Sequence, residues 1–380
     1  MAARCNLNCS YCYVFNKGDT TWRRRPARMS EEVFEAGIGR LREACLRSGR
    51  EQGSVTLHGG EPTLVGATRA RAFFDMARRG LQDVADVRLV IQTNGTRLTR
   101  EWVELFDEHR VDVGVSMDGP QAVHDRQRMD HRGRGSYRAV RRGLDLLREG
   151  GVPFALLSVL DFDADPLEVH EHFCELGPAQ ISYLMPHHTH DDIAEVRARY
   201  GPTPCLDWLE PVLDRWWGRG TLRTAVQPFH TMARIILGGP SDLDLFGGAP
   251  MGFCFVETDG AIEGLDALKI CEDGYAGTGH NVLTDGFEAF AADGGLHAET
   301  IFRGRPLPTG CAGCPEAQTC GGGYVPHRYR RGAGLDRPSV WCRDLLGLFG
   351  RLRRLLDVDH GETLARRRTL AELAADARVT

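Results

Sequence analysis

The chain has 380 residues, a formal net charge of −5, 42% hydrophobic residues and 26% charged residues. This composition excludes a disordered or fibrous chain, and the length accommodates one large domain with a smaller one attached. No apolar run approaches the roughly 18 residues of a membrane span and no apolar signal sequence precedes Cys5, so we expect a cytoplasmic protein without a membrane partner.

Helical stretches alternate with short β-rich runs from Ser30 onward. Ser30 can cap a helix that continues to about Arg47, because its hydroxyl can accept a hydrogen bond from a backbone amide of the first turn. Predicted strands follow at 55–58, 87–93, 111–116, 154–160 and 180–185. Repeated βα units predict an α/β fold of parallel strands with helices outside, as a full or partial barrel.

Polar motifs follow three of these strands. The first is His58-Gly59-Gly60-Glu61-Pro62, the second Gln92-Thr93-Asn94-Gly95, and the third Ser116-Met117-Asp118-Gly119-Pro120. In parallel barrels the reactive groups lie at the carboxyl ends of the strands, so we expect the functional site there.

The sequence pattern changes near Gly247, where a Gly- and Cys-rich stretch begins that lasts to Cys342. We therefore predict a barrel domain over 1–246, a cysteine-rich domain over 247–342 and a helical segment over 343–380. The positive charge is almost all arginine, but the runs Arg23–Arg25 and Arg366–Arg368 are short and isolated. We interpret both runs as solvated surface and expect no nucleic-acid partner.

Three cysteines share one short loop, Cys5-Asn6-Leu7-Asn8-Cys9-Ser10-Tyr11-Cys12. In a reducing compartment, cysteines so closely spaced are better explained as metal ligands than as disulfides. Three thiolates can hold three irons of a [4Fe–4S] cluster and leave the fourth open to another ligand. The alternative, a zinc knuckle, normally needs a fourth Cys or His nearby, and 13–22 contains none.

The order Cys-x3-Cys-x-aromatic-Cys resembles the signature of the radical S-adenosylmethionine (SAM) superfamily. The resemblance implies a partial (β/α)6 TIM-type barrel, SAM bound at the open iron and cleaved to a 5′-deoxyadenosyl radical, and an electron donor of the flavodoxin or ferredoxin type. It also implies these SAM-binding residues: Tyr11, Gly59, Gly60, Glu61, Pro62, Gln92, Asn94, Ser116 and Arg128. For the last position, Arg126, Arg134 and Arg138 are competing candidates. A barrel strand precedes the cysteine loop in the family, where only Met1–Arg4 stand here, so we expect either a truncated start or a barrel without that strand.

A second group of cysteines is centred on Cys311-x2-Cys314-x5-Cys320 and resembles the SPASM extension of radical SAM enzymes, which holds auxiliary [4Fe–4S] clusters. The alternative, a zinc ribbon, would use four of these cysteines and leave the others unexplained. The resemblance implies an outer cluster bound by Cys311, Cys314, Cys320 and Cys342 and an inner cluster bound by Cys254 and Cys271. Gly260 and Tyr324 stand where the family often adds two cysteines, so we expect one or two auxiliary clusters.

The segments Tyr13–Met29, Gly260–Cys271 and Cys320–Tyr329 resemble peptide maturases that form three-residue cyclophanes in ribosomally made precursor peptides. The resemblance implies hydrogen abstraction from a β-carbon, bonding of that carbon to an aromatic side chain, and loss of one electron and one proton. Glu272 or Asp273 is the predicted proton acceptor, since related sulfatase-maturing enzymes have a catalytic Asp beside the equivalent of Cys271. With no room for a recognition domain before Cys5, the precursor peptide would bind the barrel or SPASM surface directly or through a separate protein.

Other functions stay open at this stage. A sulfatase-maturing, formylglycine-forming oxidase is the main enzymatic alternative, together with thioether-forming and epimerising SPASM enzymes. A non-catalytic iron–sulfur or zinc scaffold is the alternative outside catalysis, although it has no use for Gly59–Pro62 or for an open iron.

Overall fold

The computed structural model describes residues 1–218, 224–241 and 243–376. Its chain divides into two compact units. Unit 1 comprises 1–161, 171–184 and 253–298, and unit 2 comprises 162–170, 185–252 and 299–380. Half of the predicted cysteine-rich domain therefore clusters with the predicted barrel residues, and the other half clusters with the C-terminal helices.

The main sheet has six strands in the order in which they occur along the chain. The strands are β1 Gln52–Leu57, β2 Asp86–Thr93, β3 Asp112–Ser116, β4 Phe154–Val159, β5 Gln180–Leu184 and β6 Ala225–Val226. Strands β1 to β5 pair in parallel, each with the next. The predicted α/β class with a parallel sheet and outer helices is confirmed, and the five predicted strands lie within a few residues of their expected bounds.

The helices that connect and follow these strands are α1 Glu31–Ser48, α2 Ala67–Leu81, α3 Arg100–His109, α4 Gln121–Gln127, α5 Tyr137–Glu149, α6 Pro166–Leu176, α7 Ile193–Tyr200, α8 Pro204–Gly218, α9 Gln227–Ile236, α10 Phe287–Ala292, α11 Leu296–Ala298, α12 Ala317–Cys320, α13 Cys342–Leu356 and α14 His360–Asp376. No helix among the described residues combines the length and the apolar character needed to cross a bilayer.

Helix α1 begins where the sequence predicts. The Ser30 hydroxyl accepts a hydrogen bond from the Val33 amide at 3.2 Å, which satisfies one of the donors left free in the first turn. Strand β2 alternates exposed and buried residues, and Leu89 and Ile91 are fully buried. Because the strands are parallel and in register, the ends of β1, β2 and β3 bring their following loops to one edge of the sheet.

A second, antiparallel sheet in unit 1 contains β7 Phe255–Val256, β8 Ala261–Glu263 and β9 Gly277–Asn281. It carries a buried ion network in which Arg25 contacts Glu263 at 2.6 Å and Glu257 at 3.0 Å, and Lys269 contacts the same two carboxylates. The Arg25 side chain is only 9% exposed. The interpretation of Arg23–Arg25 as wholly solvated was therefore wrong for Arg25, which pairs with acids more than 230 residues away in sequence.

The C-terminal helical segment of unit 2 is broken into two helices. Helix α13 ends at Asp357, which adopts the left-handed conformation with φ +53°. The Arg353 guanidinium donates to the Val358 and Asp359 carbonyls and to the Thr363 hydroxyl, which fixes the turn and the start of α14. One arginine thus joins the two helices.

Candidate active site

The cysteine loop, residues 5–12, is fixed at both ends by hydrogen bonds within unit 1. The Asn94 side-chain amide, just after β2, donates to Cys5 Sγ at 3.7 Å, and the Leu7 amide donates to the same sulfur at 3.4 Å. The Asn8 amide donates to the Met129 carbonyl at 2.7 Å. The loop is therefore held between the end of β2 and the segment that follows α4.

The three thiols of this loop fit the donor set of an iron–sulfur cluster. Burial raises the pKa of Cys5 to about 12 and also raises the pKa values of Cys9 and Cys12, so metal binding must displace their protons. N–H donors to sulfur, as at Cys5, stabilise cluster thiolates. The described residues contain no group of three or more His, Cys, Asp or Glu side chains arranged to hold a single metal ion.

Gly59 and Gly60 pack the start of the chain against the end of β1. The Gly60 amide donates to the Ala2 carbonyl at 2.7 Å, and the Glu61 amide donates to the Arg4 carbonyl at 3.0 Å. A Cβ would lie 2.5 Å from the Ala2 oxygen at Gly59, where φ is +135°, and 2.3 Å from the Arg4 oxygen at Gly60. Both positions must be glycine for the backbone of residues 1–4 to approach this loop so closely. Residues 1–4 thereby pair with the loop as a short strand would.

Glu61 is fully buried and acts as a hydrogen-bond hub. Its Oε1 accepts from the Thr63 amide at 2.9 Å, the Thr63 hydroxyl at 2.5 Å and the Thr93 hydroxyl at 2.7 Å, and its Oε2 accepts from the Asn94 amide at 2.7 Å. Pro62 begins the short 3₁₀ turn Pro62–Val65 that follows. The Glu61 carboxylate thus joins the glycine loop to the end of β2 and orients Asn94.

Tyr11, Asp118 and Arg128 form a buried triad beside the cysteine loop. The Tyr11 hydroxyl donates to Asp118 Oδ2 at 2.5 Å and accepts from the Arg128 guanidinium at 2.5 Å. Burial raises the pKa of Asp118 and raises the pKa of Tyr11 well above its usual range. Arg128 compensates the carboxylate at 4.0 Å, so the triad keeps the loop tied to the end of β3.

The structure also distinguishes among the competing arginines. Arg126 pairs with Asp161, and Arg134 with Asp130, and both arginine side chains are largely exposed. Arg128 alone among these three contacts Tyr11. Asp118 had no predicted role, although its place two residues after Ser116 at the end of β3 is the signal that could have found it.

Gln92 and Ser116 lie next to each other on β2 and β3. The Gln92 amide donates to the Ser116 hydroxyl at 2.9 Å. Every residue predicted from the sequence to bind SAM therefore lies in unit 1, on the cysteine loop or at the carboxyl ends of β1, β2 and β3 and the segments that follow them.

The four cysteines predicted to bind the outer auxiliary cluster line one cavity in unit 2. The cavity encloses about 290 Å³, part of it open to solvent, and Glu316, Gly322 and Leu346 are among its other lining residues. Its cysteines are Cys311, Cys314, Cys320 and Cys342. Residues separated by 31 positions in sequence thus meet as a four-thiol donor set of the kind that holds a [4Fe–4S] cluster.

The predicted inner pair lies in unit 1, with Cys254 just before β7 and Cys271 just after a 3₁₀ turn, Asp266–Ile270. Burial raises the pKa of Cys254 to about 12. Gly260 has a φ of +85°, and a Cβ there would lie 2.5 Å from the side-chain oxygen of Asn281, so another residue would meet a strained backbone conformation and displace Asn281.

Glu272 and Asp273 both lie at the surface of unit 1. Asp273 Oδ1 accepts hydrogen bonds from the Thr20 amide at 2.6 Å and from the Thr20 hydroxyl at 2.9 Å. These bonds lower the pKa of Asp273 below its usual value, with a smaller contribution from Arg24. Asp273 therefore anchors the segment after the cysteine loop and is a weak proton acceptor.

The chain is similar to known proteins in sequence and in fold. Residues 1–176 match the model of the Radical SAM superfamily. The serine-type anaerobic sulfatase-maturating enzyme of Bacteroides thetaiotaomicron is 36% identical over 188 residues, covering 48% of this chain and 44% of that enzyme. The cysteine-type anaerobic sulfatase-maturating enzyme of Clostridium perfringens is 26% identical over 267 residues, covering 68% of this chain and 70% of that enzyme. The chain thus spans less than half of the Bacteroides relative.

Solved structures share the fold. Native anSMEcpe with bound AdoMet has a TM-score of 0.78 at 21% identity, covering 94% of this chain and 97% of that one. Streptococcus suis SuiB bound to precursor peptide SuiA has a TM-score of 0.57 at 15% identity, covering 90% and 74%. The family implies a [4Fe–4S] cluster and SAM as cofactors, and the cysteine loop has the donors to bind such a cluster. Residues 1–176 therefore resemble the Radical SAM superfamily, and the chain is similar in sequence to anaerobic sulfatase-maturating enzymes.

Proposed function

We propose that the protein oxidises a residue of a peptide or protein substrate after removal of a hydrogen atom from that residue's β-carbon. The observation that carries the proposal is the cysteine loop, which Asn94 and the Tyr11–Asp118–Arg128 triad hold at the carboxyl edge of the sheet. When bound, a reduced [4Fe–4S] cluster and SAM supply the abstracting 5′-deoxyadenosyl radical. Cys5, Cys9 and Cys12 would hold that cluster.

The residues around the loop would position SAM and would not be chemically altered by the reaction. Glu61 has both carboxylate oxygens occupied by protein donors, so its role is to orient Asn94 and the glycine loop. Gln92 and Ser116 present an amide and a hydroxyl, which suit hydrogen bonds to a ribose or a carboxylate.

Sulfatase maturation is the reaction that the relatives favour. The named relatives are anaerobic sulfatase-maturating enzymes of the serine and cysteine types, and anSMEcpe was solved with the Kp18Cys peptide. In this version the enzyme oxidises a Ser or Cys side chain to an aldehyde. The substrate would be a sulfatase or a peptide that resembles its maturation site.

Cyclophane formation is the second candidate, and one feature of the inner auxiliary site favours it. Gly260 and Tyr324 stand where the family often adds two cysteines, so of a complete inner set the chain has Cys254 and Cys271. Tyr324 is 8% exposed, with its ring centre 5.1 Å from that of His327. The chain thereby departs from sulfatase-maturing enzymes, and its substrate would be a ribosomally made precursor peptide, the class with which SuiB was solved.

Either oxidation also releases a proton. Between the two predicted acceptors we assign this role to Glu272, because the Thr20 hydrogen bonds that lower the pKa of Asp273 weaken it as a base. Replacing Glu272 with Ala should lower product formation while SAM cleavage continues. Near-normal product from the double Glu272→Ala, Asp273→Ala variant would contradict the assignment.

Cleavage of SAM is the first test. The anaerobically reconstituted, dithionite-reduced protein should convert SAM to 5′-deoxyadenosine, and Cys9→Ala should abolish that conversion. Cys45→Ala is the matched control, since Cys45 is buried in α1 with no assigned ligand role. Absence of 5′-deoxyadenosine from the reconstituted wild-type protein would refute the proposal.

Mass spectrometry of candidate substrates separates the two reactions. Both a Ser-derived aldehyde and a cyclophane lose two hydrogens, but only the aldehyde reacts with a hydrazine probe. A cyclophane instead blocks fragmentation between the joined residues. If the protein matures sulfatases, a Ser- or Cys-containing sulfatase peptide should give a hydrazone. A product that gives no hydrazone but blocks fragmentation would instead indicate cyclophane formation.

A further inference from the structure

Arg328 is a buried arginine held in a cradle of backbone carbonyls in unit 2. It is 3% exposed, and its guanidinium donates to the carbonyls of Pro306 at 2.7 Å, Gly321 at 2.6 Å and Gly323 at 2.7 Å. The glycines from 321 to 323 all have positive φ, and the carbonyls of Gly321 and Gly323 accept from the guanidinium while that of Gly322 accepts from the Ser339 amide. A Cβ at Gly322 would lie 3.2 Å from Arg328 Cζ. The triple glycine after Cys320 therefore has a structural purpose, which is to enclose this cation.

Arg328 lies beside the four-cysteine cavity. Gly322, between the two glycines whose carbonyls Arg328 binds, lines that cavity, and the lining residue Cys320 directly precedes these glycines. The positive charge is therefore held at the wall of the cavity and within a few residues of one predicted ligand.

Arg305 is a second buried arginine near the same cavity. It is 6% exposed and donates to the Phe246 carbonyl, while its Nε and NH1 atoms have no hydrogen-bond partner among the described residues. The Arg328 Nε atom also lacks a partner there. Its backbone amide donates to the Gly248 carbonyl at 2.8 Å, Gly248 packs against Gly321, and Asp244 favours the charged form of Arg305.

No carboxylate within the described part of the chain pairs with Arg328. The carboxylate that lines the cavity, Glu316, is already bound by the Arg353 guanidinium at 2.6 Å and 3.1 Å and by His360 at 2.8 Å. A buried charge without a counter-charge is costly, since burial removes the solvation that stabilises it. An anion at the four cysteines would remove that cost.

We propose that Arg328, assisted by Arg305, is the built-in counter-charge of the outer auxiliary cluster and raises its reduction potential. A cluster bound by four thiolates carries net negative charge, and that charge grows when one electron is added. A fixed positive charge therefore favours the form that has gained the electron. This inference rests on the proposed oxidation and on the predicted outer ligand set, Cys311, Cys314, Cys320 and Cys342. A higher reduction potential would let the outer cluster accept the electron released by the substrate radical.

The test measures the potential of this one site. The parent variant carries alanine at the other five predicted cluster cysteines, Cys5, Cys9, Cys12, Cys254 and Cys271. Iron content and an EPR-monitored redox titration are then compared for the parent, Arg328→Met and Arg328→Lys. Arg343→Met is the matched control, because Arg343 acts on Cys342 from an exposed position.

We expect Arg328→Met to keep its iron and lower the equilibrium constant for reduction about tenfold, which for one electron is about 59 mV. Arg328→Lys, which keeps the charge, should stay near the parent, as should Arg343→Met. Loss of iron from Arg328→Met but not from Arg328→Lys would equally support a counter-charge.

Three results would overturn the inference. One is an unchanged potential in an iron-replete Arg328→Met. Another is an equal effect of Met and Lys, which would assign the role to the carbonyl cradle and not to charge. The third is an equal shift in Arg343→Met. A parent without iron would instead refute the proposed ligand set, and the inference with it, while SAM cleavage by the wild-type protein would remain a separate result.

Discussion

Replacing Glu61 with Gln tests the hub that joins the glycine loop to the end of β2. The side chain is fully buried and accepts four hydrogen bonds, with the Thr63 amide on Oε1 and the Asn94 amide on Oε2. The glutamine NH₂ must replace one of these oxygens. In either orientation a buried backbone amide loses its acceptor and faces another donor.

The expected loss of stability follows from the number of hydrogen bonds that the substitution removes. A buried donor left unsatisfied costs about 1–3 kcal/mol, and a hydrogen bond to a charged acceptor contributes about 1.5–3 kcal/mol. We therefore expect Glu61→Gln to lower the free energy of unfolding by roughly 2–4 kcal/mol, a large effect for a change of one atom. The glycine loop and Asn94 should lose their fixed positions, so SAM cleavage should fall as well.

Urea denaturation of the cluster-free protein under reducing conditions measures this loss without a contribution from iron. Glu149→Gln is the control, since Glu149 is exposed at the end of α5 and its replacement should change stability by less than about 0.5 kcal/mol. Hydrogen exchange of peptides from the end of β2 should rise in Glu61→Gln alone. A stability equal to that of Glu149→Gln, with unchanged exchange, would refute the role of the hub.

Three further substitutions test other parts of the structure. Gly60→Ala should destabilise the protein in urea titrations by several kcal/mol, because its Cβ would lie 2.3 Å from a carbonyl oxygen, whereas Gly37→Ala, in open space on α1, should stabilise it by up to about 1 kcal/mol. Tyr11→Phe should raise the KM for SAM and leave the iron content unchanged, since it removes only the hydroxyl shared by the triad. Tyr13→Phe is the neighbouring control. Equal effects of the two substitutions on KM would argue against the triad. Burial raises the pKa of Asp344 from 3.8 to about 6, so its contribution to stability is present below pH 3.8 and is lost as the pH rises through 6. The difference in unfolding free energy between wild type and Asp344→Asn should therefore change by roughly 2.4 kcal/mol between pH 4 and 7, and a constant difference would show that the carboxyl does not titrate in this way.

Local signals predicted much of the fold and the membership of the site. The alternation of β2, the hydroxyl cap at Ser30 and the close spacing of Cys5, Cys9 and Cys12 each act within a few residues, so sequence position alone reveals them. The polar motifs after β1, β2 and β3 follow from the same logic, because parallel strands bring their carboxyl ends to one edge.

Contacts between distant segments decided the rest. The sequence offered Arg126, Arg134 and Arg138 as competitors of Arg128, and packing against Tyr11 and Asp118 distinguished Arg128. The sequence predicted that Arg25 is solvated as part of a short basic run, but Arg25 pairs with Glu263 in a buried ion network.

The sequence by itself determined which residue types carry the chemistry, since cysteine spacing and strand-end motifs are local and have few alternative explanations. Only the tertiary structure decided how charges are compensated. The Arg328 cradle joins carbonyls from Pro306 to Gly323, and the enclosing glycines gain meaning only once the guanidinium lies among them. Electrostatic and hydrogen-bond partners are chosen by distance in space, which a linear sequence does not contain.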